Sequence, residues 1–190
     1  MIVLGLTTTL LAATAPGGPA GDAAVRSMIQ ADYDKITAAE KTHNYDAISK
    51  TFTDICAPTF SIQPPDGKIY SLPEFLAASK PGWTDVKAAP APERTVTKLV
   101  VTGDTATDEN TATLTHPYVD KAGQLGTKGA SHVVGLQRLY QSKWAKMDGA
   151  WKMTFTMVLK TKTLVDGKEY TPPPPPAPKS APKAAPKRRY

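Results

Sequence analysis

Cysteine is almost absent from this chain. Cys56 is the only one in 190 residues, so no internal disulfide can form and folding rests on a packed core. Its neighbours in "FTDICAPTF" are apolar and supply no base, which reads as a small buried side chain and not as a nucleophile. Histidine is scarce too. The three present show no metal-ligand spacing with one another or with Cys56, so neither a metal nor a cofactor is expected. A phosphate-cradling loop is missing, because "GTKG" has no strand before it and no helix after it. The segment "DENT" (residues 108–111) lacks the calcium-loop pattern and reads as a turn. "APTFS" has no nucleophile-elbow pattern.

Long apolar runs are also lacking. The longest, "IVLGLTTTLLAATA", has signal-peptide length and is too short to span a bilayer comfortably. Small residues follow it, and cleavage after Ala20 or Ala24 fits better than cleavage just before Pro16. Residues 1–24 are therefore expected to be a leader, and the protein to be exported to a periplasm or secreted. Residues 166–190 are expected to form a disordered extension. From Thr171 it reads "TPPPPPAPKSAPKAAPKRRY", proline-rich and suited to polyproline II but not to a core. This tail carries five of the 23 basic residues and no acid. Subtracting them leaves 18 bases against the 17 acids in the body, a net charge of +1. The folded part thus has no overall charge that favours nucleic acid. The tail alone is basic, which suits contact with anionic envelope components or a purely solvated role.

Between these ends the pattern changes from helical to β. From Ala23 to about Thr42, Val25, Met28, Ile29, Asp32, Tyr33, Ile36 and Ala39 form one stripe at helical spacing. Asn44 reads as the N-cap of a second helix carrying Ile48, Phe52 and Ile55, stopped by Pro58. "FSIQPPDGKIYSLPEFLAAS" then reads as a strand, an Asp66-Gly67 turn, a short strand and a helix capped by Ser71 and Glu74 that stops before Pro81-Gly82. "TVTKLVVTGD", "TATLTHPYVD", "ASHVVGLQRLYQSKWAKM" and "WKMTFTMVLKTK" are strands joined by short turns, an antiparallel meander. In the last of them Trp151, Met153, Phe155, Met157 and Leu159 share one side and read as core. The order of elements is α+β.

Three stretches carry a resemblance: "YDAISKTFTDICAPTFSIQPPDGKIYSLPEF", "VVTGDTAT" and "KWAKMDGAWKM" with its paired Trp144 and Trp151. Between Val25 and Lys162 the chain resembles the NTF2-like superfamily, in particular its SnoaL-like and DUF4440-like members. The resemblance implies an α+β cone over residues 25–165, with N-terminal helices packed in a curved antiparallel sheet around a cavity, and a homodimer formed through the sheet. In that family the cavity serves as an active site, a ligand site or the interior of a scaffold, and the fold does not choose among them.

Polar residues on the apolar faces are the candidates. Tyr33, Tyr118, His132, Arg138 and Tyr140 are the ligand-pocket candidates, with Arg138 suited to a bidentate clamp on an organic acid. Asp32 and His116 are the candidate proton-transfer pair, provided they come within hydrogen-bond reach. Lone strand histidines and tyrosines are more often plain core or rim residues. No complete acid–base set of an enzymatic member is matched. The leading expectation is an exported, dimeric binder of a small hydrophobic or acidic organic ligand. The alternatives are a SnoaL-type acid–base enzyme (isomerase, dehydratase or cyclase) acting on a hydrophobic carbonyl substrate, and an envelope scaffold acting through its tail.

Overall fold

The computed structural model describes residues 19–84, 91–121, 123 and 125–171. Residues 1–18 of the expected leader (1–24) and residues 172–190 of the expected extension (166–190) lie outside them; residues 19–24 open a helix, and residues 168–169 form a short strand paired with the sheet. Three helices, α1 (Pro19–Lys41), α2 (Tyr45–Ile55) and α3 (Leu72–Thr84), pack against one sheet. Its strands are β1 (Cys56–Gln63), β2 (Tyr70–Ser71), β3 (Glu93–Thr102), β4 (Thr105–Val119), β5 (Ser131–Met147), β6 (Ala150–Val165) and β7 (Lys168–Glu169). The spatial order is β2-β1-β6-β5-β4-β3, with β7 on β6. Strands β3 to β6 form the expected antiparallel meander, but β1 lies parallel to β6, so the sheet is mixed.

The helices form for local reasons that the sequence displays. Val25, Ile29, Tyr33 and Ile36 bury the stripe of α1 against the sheet. Met28 falls outside that buried face and is exposed, whereas Asp32, its side chain 15 % exposed, lies at its edge and pairs with Lys35 at 2.7 Å. Asn44 caps α2 by accepting from the amides of Asp46 and Ala47. Glu74 accepts from the Ser71 amide at 2.9 Å and holds the start of α3. That bond is the main reason the Glu74 carboxyl lies below its usual range.

Four local expectations are corrected. Helix α2 ends at Ile55, and Pro58 lies inside β1, where the β1–β6 register shifts between Cys56 and Ser61. Proline has no ladder N–H to give, so it is tolerated at such an irregularity. Helix α3 does not stop before Pro81 but runs through it to Thr84. The turn before β2 is wider than a two-residue hairpin: the Gly67 amide bonds the Pro64 carbonyl, and strand pairing resumes only at Tyr70. "DENT" is not a turn. It is the middle of the 15-residue strand β4.

The stripe on β6 is also split. Trp144 pairs with Met153 while Lys143 pairs with Phe155, so Thr154 is an extra residue, a β-bulge. Beyond it, Thr156 and Val158 pair with the inward-facing Ser142 and Tyr140. Phe155 and Met157 therefore turn to the outer face, where Lys143 Nζ lies 5.7 Å from the Phe155 ring centre. Leu159 is the extra residue of a second bulge and is exposed.

Candidate functional site

Between the concave face of the sheet and the three helices lies an open cavity of about 650 Å³. That is the size range of sites for small organic molecules. The helices supply apolar walls. Phe52, Phe75 and Trp83 pack on one another with ring centres 5.5 to 5.7 Å apart. His43 sits beside them in the turn after α1, and its Nδ1 lies 3.3 Å from the Trp83 carbonyl. A carbonyl only accepts, so the Nδ1 of that imidazole carries the proton.

The inner end is polar. On β4 the inward residues are Ala106, Asp108, Asn110, Ala112 and Leu114. Tyr33, Asn110, Ser142 and Thr156 line the cavity there, and all are buried. Asp108 lies behind them, 0 % exposed. Its Oδ1 accepts from Trp144 Nε1 at 2.6 Å and its Oδ2 from Asn110 Nδ2 at 2.9 Å. The Tyr33 hydroxyl stands 3.2 and 3.3 Å from the two oxygens. The Tyr33 oxygen accepts from Asn110 Nδ2 at 2.8 Å, and Ser142 Oγ lies 3.0 Å away. Ser142 and Thr156 hydroxyls meet at 2.8 Å. Burial pushes the Asp108 carboxyl above its usual range, while the bonds from Trp144, Asn110 and Tyr33 and the field of Arg26 oppose that rise. Burial first, and the Asp108 charge second, push the Tyr33 phenol well above its usual value, so it keeps its proton.

A second charged group sits in the wall. Arg94 on β3 clasps Glu40 on α1 through two bonds of 2.6 and 3.0 Å and also reaches Thr37 Oγ1. Their side chains are 13 % and 6 % exposed. The pair ties α1 to the sheet, and its fork geometry leaves Glu40 compensated.

Of the residues singled out from sequence, Tyr33, Arg138 and Tyr140 line the cavity. Arg138 is exposed at its rim and makes no hydrogen bond or ion pair among the described residues. Asp32 does not line the cavity and is paired with Lys35. His116 is exposed, so the two do not converge as an acid–base pair in the cavity. Cavity lining along the β4–β5 ladder ends at the pair Leu114–Leu136. His116–Val134 and Tyr118–His132 lie farther out on the same ladder. There His132 Nδ1 contacts Asp166 Oδ2 at 2.8 Å, and this bond is the main cause that lowers the Asp166 carboxyl. Among the described residues no cluster of histidine, cysteine or acidic side chains is placed to hold a metal ion.

Sequence reading missed Asp108, Asn110, Ser142, Thr156 and the Glu40–Arg94 pair. Asp and Asn favour turns and are depleted in strands, which suggested a turn at 108–111. The signal that locates them is the alternation from Ala106 to Leu114, which places both polar residues on the face of three apolar ones.

A cone of three helices on a curved mixed sheet, with its cavity between the layers, defines the NTF2-like fold, and this chain has it. It is similar to a solved NTF2-like protein from Cytophaga hutchinsonii, at 16 % identity, a TM-score of 0.50 and coverage of 70 % of this chain and 95 % of that one. A conserved protein from Planctomyces limnophilus is similar at 16 % identity, TM-score 0.51 and coverage of 72 % and 98 %. No protein-family model matches the chain, and no curated protein matches it in sequence.

Proposed function

We propose that this protein binds a small organic molecule with an apolar body in the cone, and that it works as an exported homodimer. The observation that carries the reading is the open cavity of about 650 Å³, walled by Phe52, Phe75 and Trp83. Removing apolar ligand surface from water there is worth about 25 cal/mol per Å² before the cost of immobilising the ligand. Arg138 at the rim, without a partner among the described residues, suits an acidic group on such a ligand. Binding is favoured over SnoaL-type acid–base chemistry because Asp108 does not line the cavity and Asp32 and His116 do not meet in it.

Export rests on the apolar leader. Dimerisation rests on the outer sheet face, where Leu139, Phe155 and Met157 are only half-buried. A second copy laid against that face would cover them. The basic tail suits anionic envelope components.

The test of binding is titration with N-phenyl-1-naphthylamine, an uncharged apolar fluorophore. A saturable rise in fluorescence that is lost in Phe75→Asp is expected. No saturable signal at micromolar protein refutes the reading. Native mass spectrometry of protein from its own host reports two further points at once. A dimer whose mature chain starts near Gly21 is expected, and a monomer with an intact leader refutes both.

A further inference from the structure

We propose that the inner end of the cavity presents hydrogen-bond acceptors and therefore takes a ligand whose buried end carries an O–H or N–H donor. This rests on the cavity being a ligand site and names the chemistry of the deeper half of that ligand. The argument is a count of protons.

Asp108 comes first. Its two short contacts, Trp144 Nε1 at 2.6 Å and Asn110 Nδ2 at 2.9 Å, are groups that can only donate. The one remaining neighbour able to accept, the Tyr33 oxygen, stands 3.2 and 3.3 Å away. A carboxylic acid donates its proton over about 2.5–3.0 Å. A proton on Asp108 would have no acceptor in reach, so the carboxylate is the form that this arrangement fits.

The rest follows. Asn110 has two amide protons, one for Asp108 and one for the Tyr33 oxygen at 2.8 Å. An amide flip would aim its carbonyl at the Asp108 carboxylate, so this orientation is fixed. Its Oδ1 receives no hydrogen bond from the described residues, and it is not sealed from the cavity. Among the hydroxyls every proton has a protein partner. Tyr33 donates to Ser142 at 3.0 Å, Ser142 donates to Thr156 at 2.8 Å, and Thr156 turns its proton to the Gln141 carbonyl of the sheet at 3.5 Å. None of these protons is aimed into the cavity. Asn110 Oδ1, with no donor of its own, and the remaining lone pair of Thr156 Oγ1 are left as acceptors on its lining. A ligand oxygen with no proton meets them as like dipoles, whereas a hydroxyl or N–H satisfies them.

The experiment compares two probes with one biphenyl body by calorimetry at pH 7, on the full chain. 4-Phenylphenol carries a donor, and 4-methoxybiphenyl carries only an acceptor. The phenol is expected to bind about ten-fold more tightly. The preference should shrink in Thr156→Val, which keeps side-chain volume, and vanish in Asn110→Ala. The comparison on the unaltered protein needs neither variant to fold. Equal affinity, or tighter binding of the methoxy compound, overturns the inference and leaves the ligand reading standing. If neither probe binds, and N-phenyl-1-naphthylamine also fails, the ligand reading falls and takes the inference with it. Failure of these two probes alone, with the fluorophore bound, overturns only the inference.

Discussion

Trp144→Phe is the sharpest probe of the buried polar cluster. The indole is 1 % exposed and donates to Asp108 at 2.6 Å, while its ring meets Tyr33 edge-on at 5.7 Å. Phenylalanine keeps most of the apolar contact and removes the donor. Two losses follow. The smaller ring costs about 1 kcal/mol for lost volume, and this cost does not depend on pH. The missing bond to a charged group costs about 1.5–3 kcal/mol. The second loss exists only while Asp108 is ionised. The wild-type Asp108 carboxyl already lies above its usual range because of burial, and the bond from Trp144 is the largest of the forces holding it down. Without that bond the folded-state value rises further. The unfolded value is unchanged, so the extra destabilisation is absent where the folded protein is protonated in both variants. It grows as pH rises through the wild-type folded value and levels off above that of the variant. Urea unfolding from pH 4 to pH 8 measures this directly. The expected deficit is about 1 kcal/mol at the acid end and about 2.5–4 kcal/mol at the alkaline end. A deficit that is flat across the series refutes the ionised carboxylate.

Three further outcomes are expected. Arg94→Met leaves Glu40 buried without its partner and should cost about 3–5 kcal/mol in urea unfolding, most of it recovered in the double variant Arg94→Met/Glu40→Leu. Little recovery would mean that the pair is not isolated from other contacts. Asn44→Ala removes the acceptor for the Asp46 and Ala47 amides and should lose about 1 kcal/mol without changing the probe affinity of the cavity. Cys56 has its thiol pushed up to about 12 by burial, so iodoacetamide at pH 8 should label it only on unfolding; labelling of the native protein at the rate of a free thiol would contradict the burial.

Much of the fold was legible because periodicity reports it. The α1 stripe, the Asn44 cap and the meander are written in local pattern, and tertiary contacts agree with it. The inner end of the cavity was not, for two physical reasons. Asp108 and Asn110 are turn formers held in a strand by partners far along the chain, on α1 and β5. Local propensity contains no record of Tyr33 or Trp144. The Thr154 bulge, in turn, breaks strict alternation, so a sequence read at period two assigns Phe155 and Met157 to the wrong face. Tyr140 and Arg138 were accessible to sequence because β5 keeps one parity from Leu136 to Trp144. His132 and Tyr118 share that parity too, but parity says nothing of how far the helices extend along a strand.

The same bulge sets how close this chain stands to a different kind of protein. Were β6 to run on without the bulge, Thr154 would pair with Lys143 and every residue up to the next bulge would move by one position against β5. Phe155 would then occupy the interior in place of Thr156, and Met157 in place of Val158. The hydroxyl chain would lose its far end, and two bulky side chains would fill the space now open. A hollow cone and a solid one are thus separated here by one irregularity of backbone pairing and not by composition.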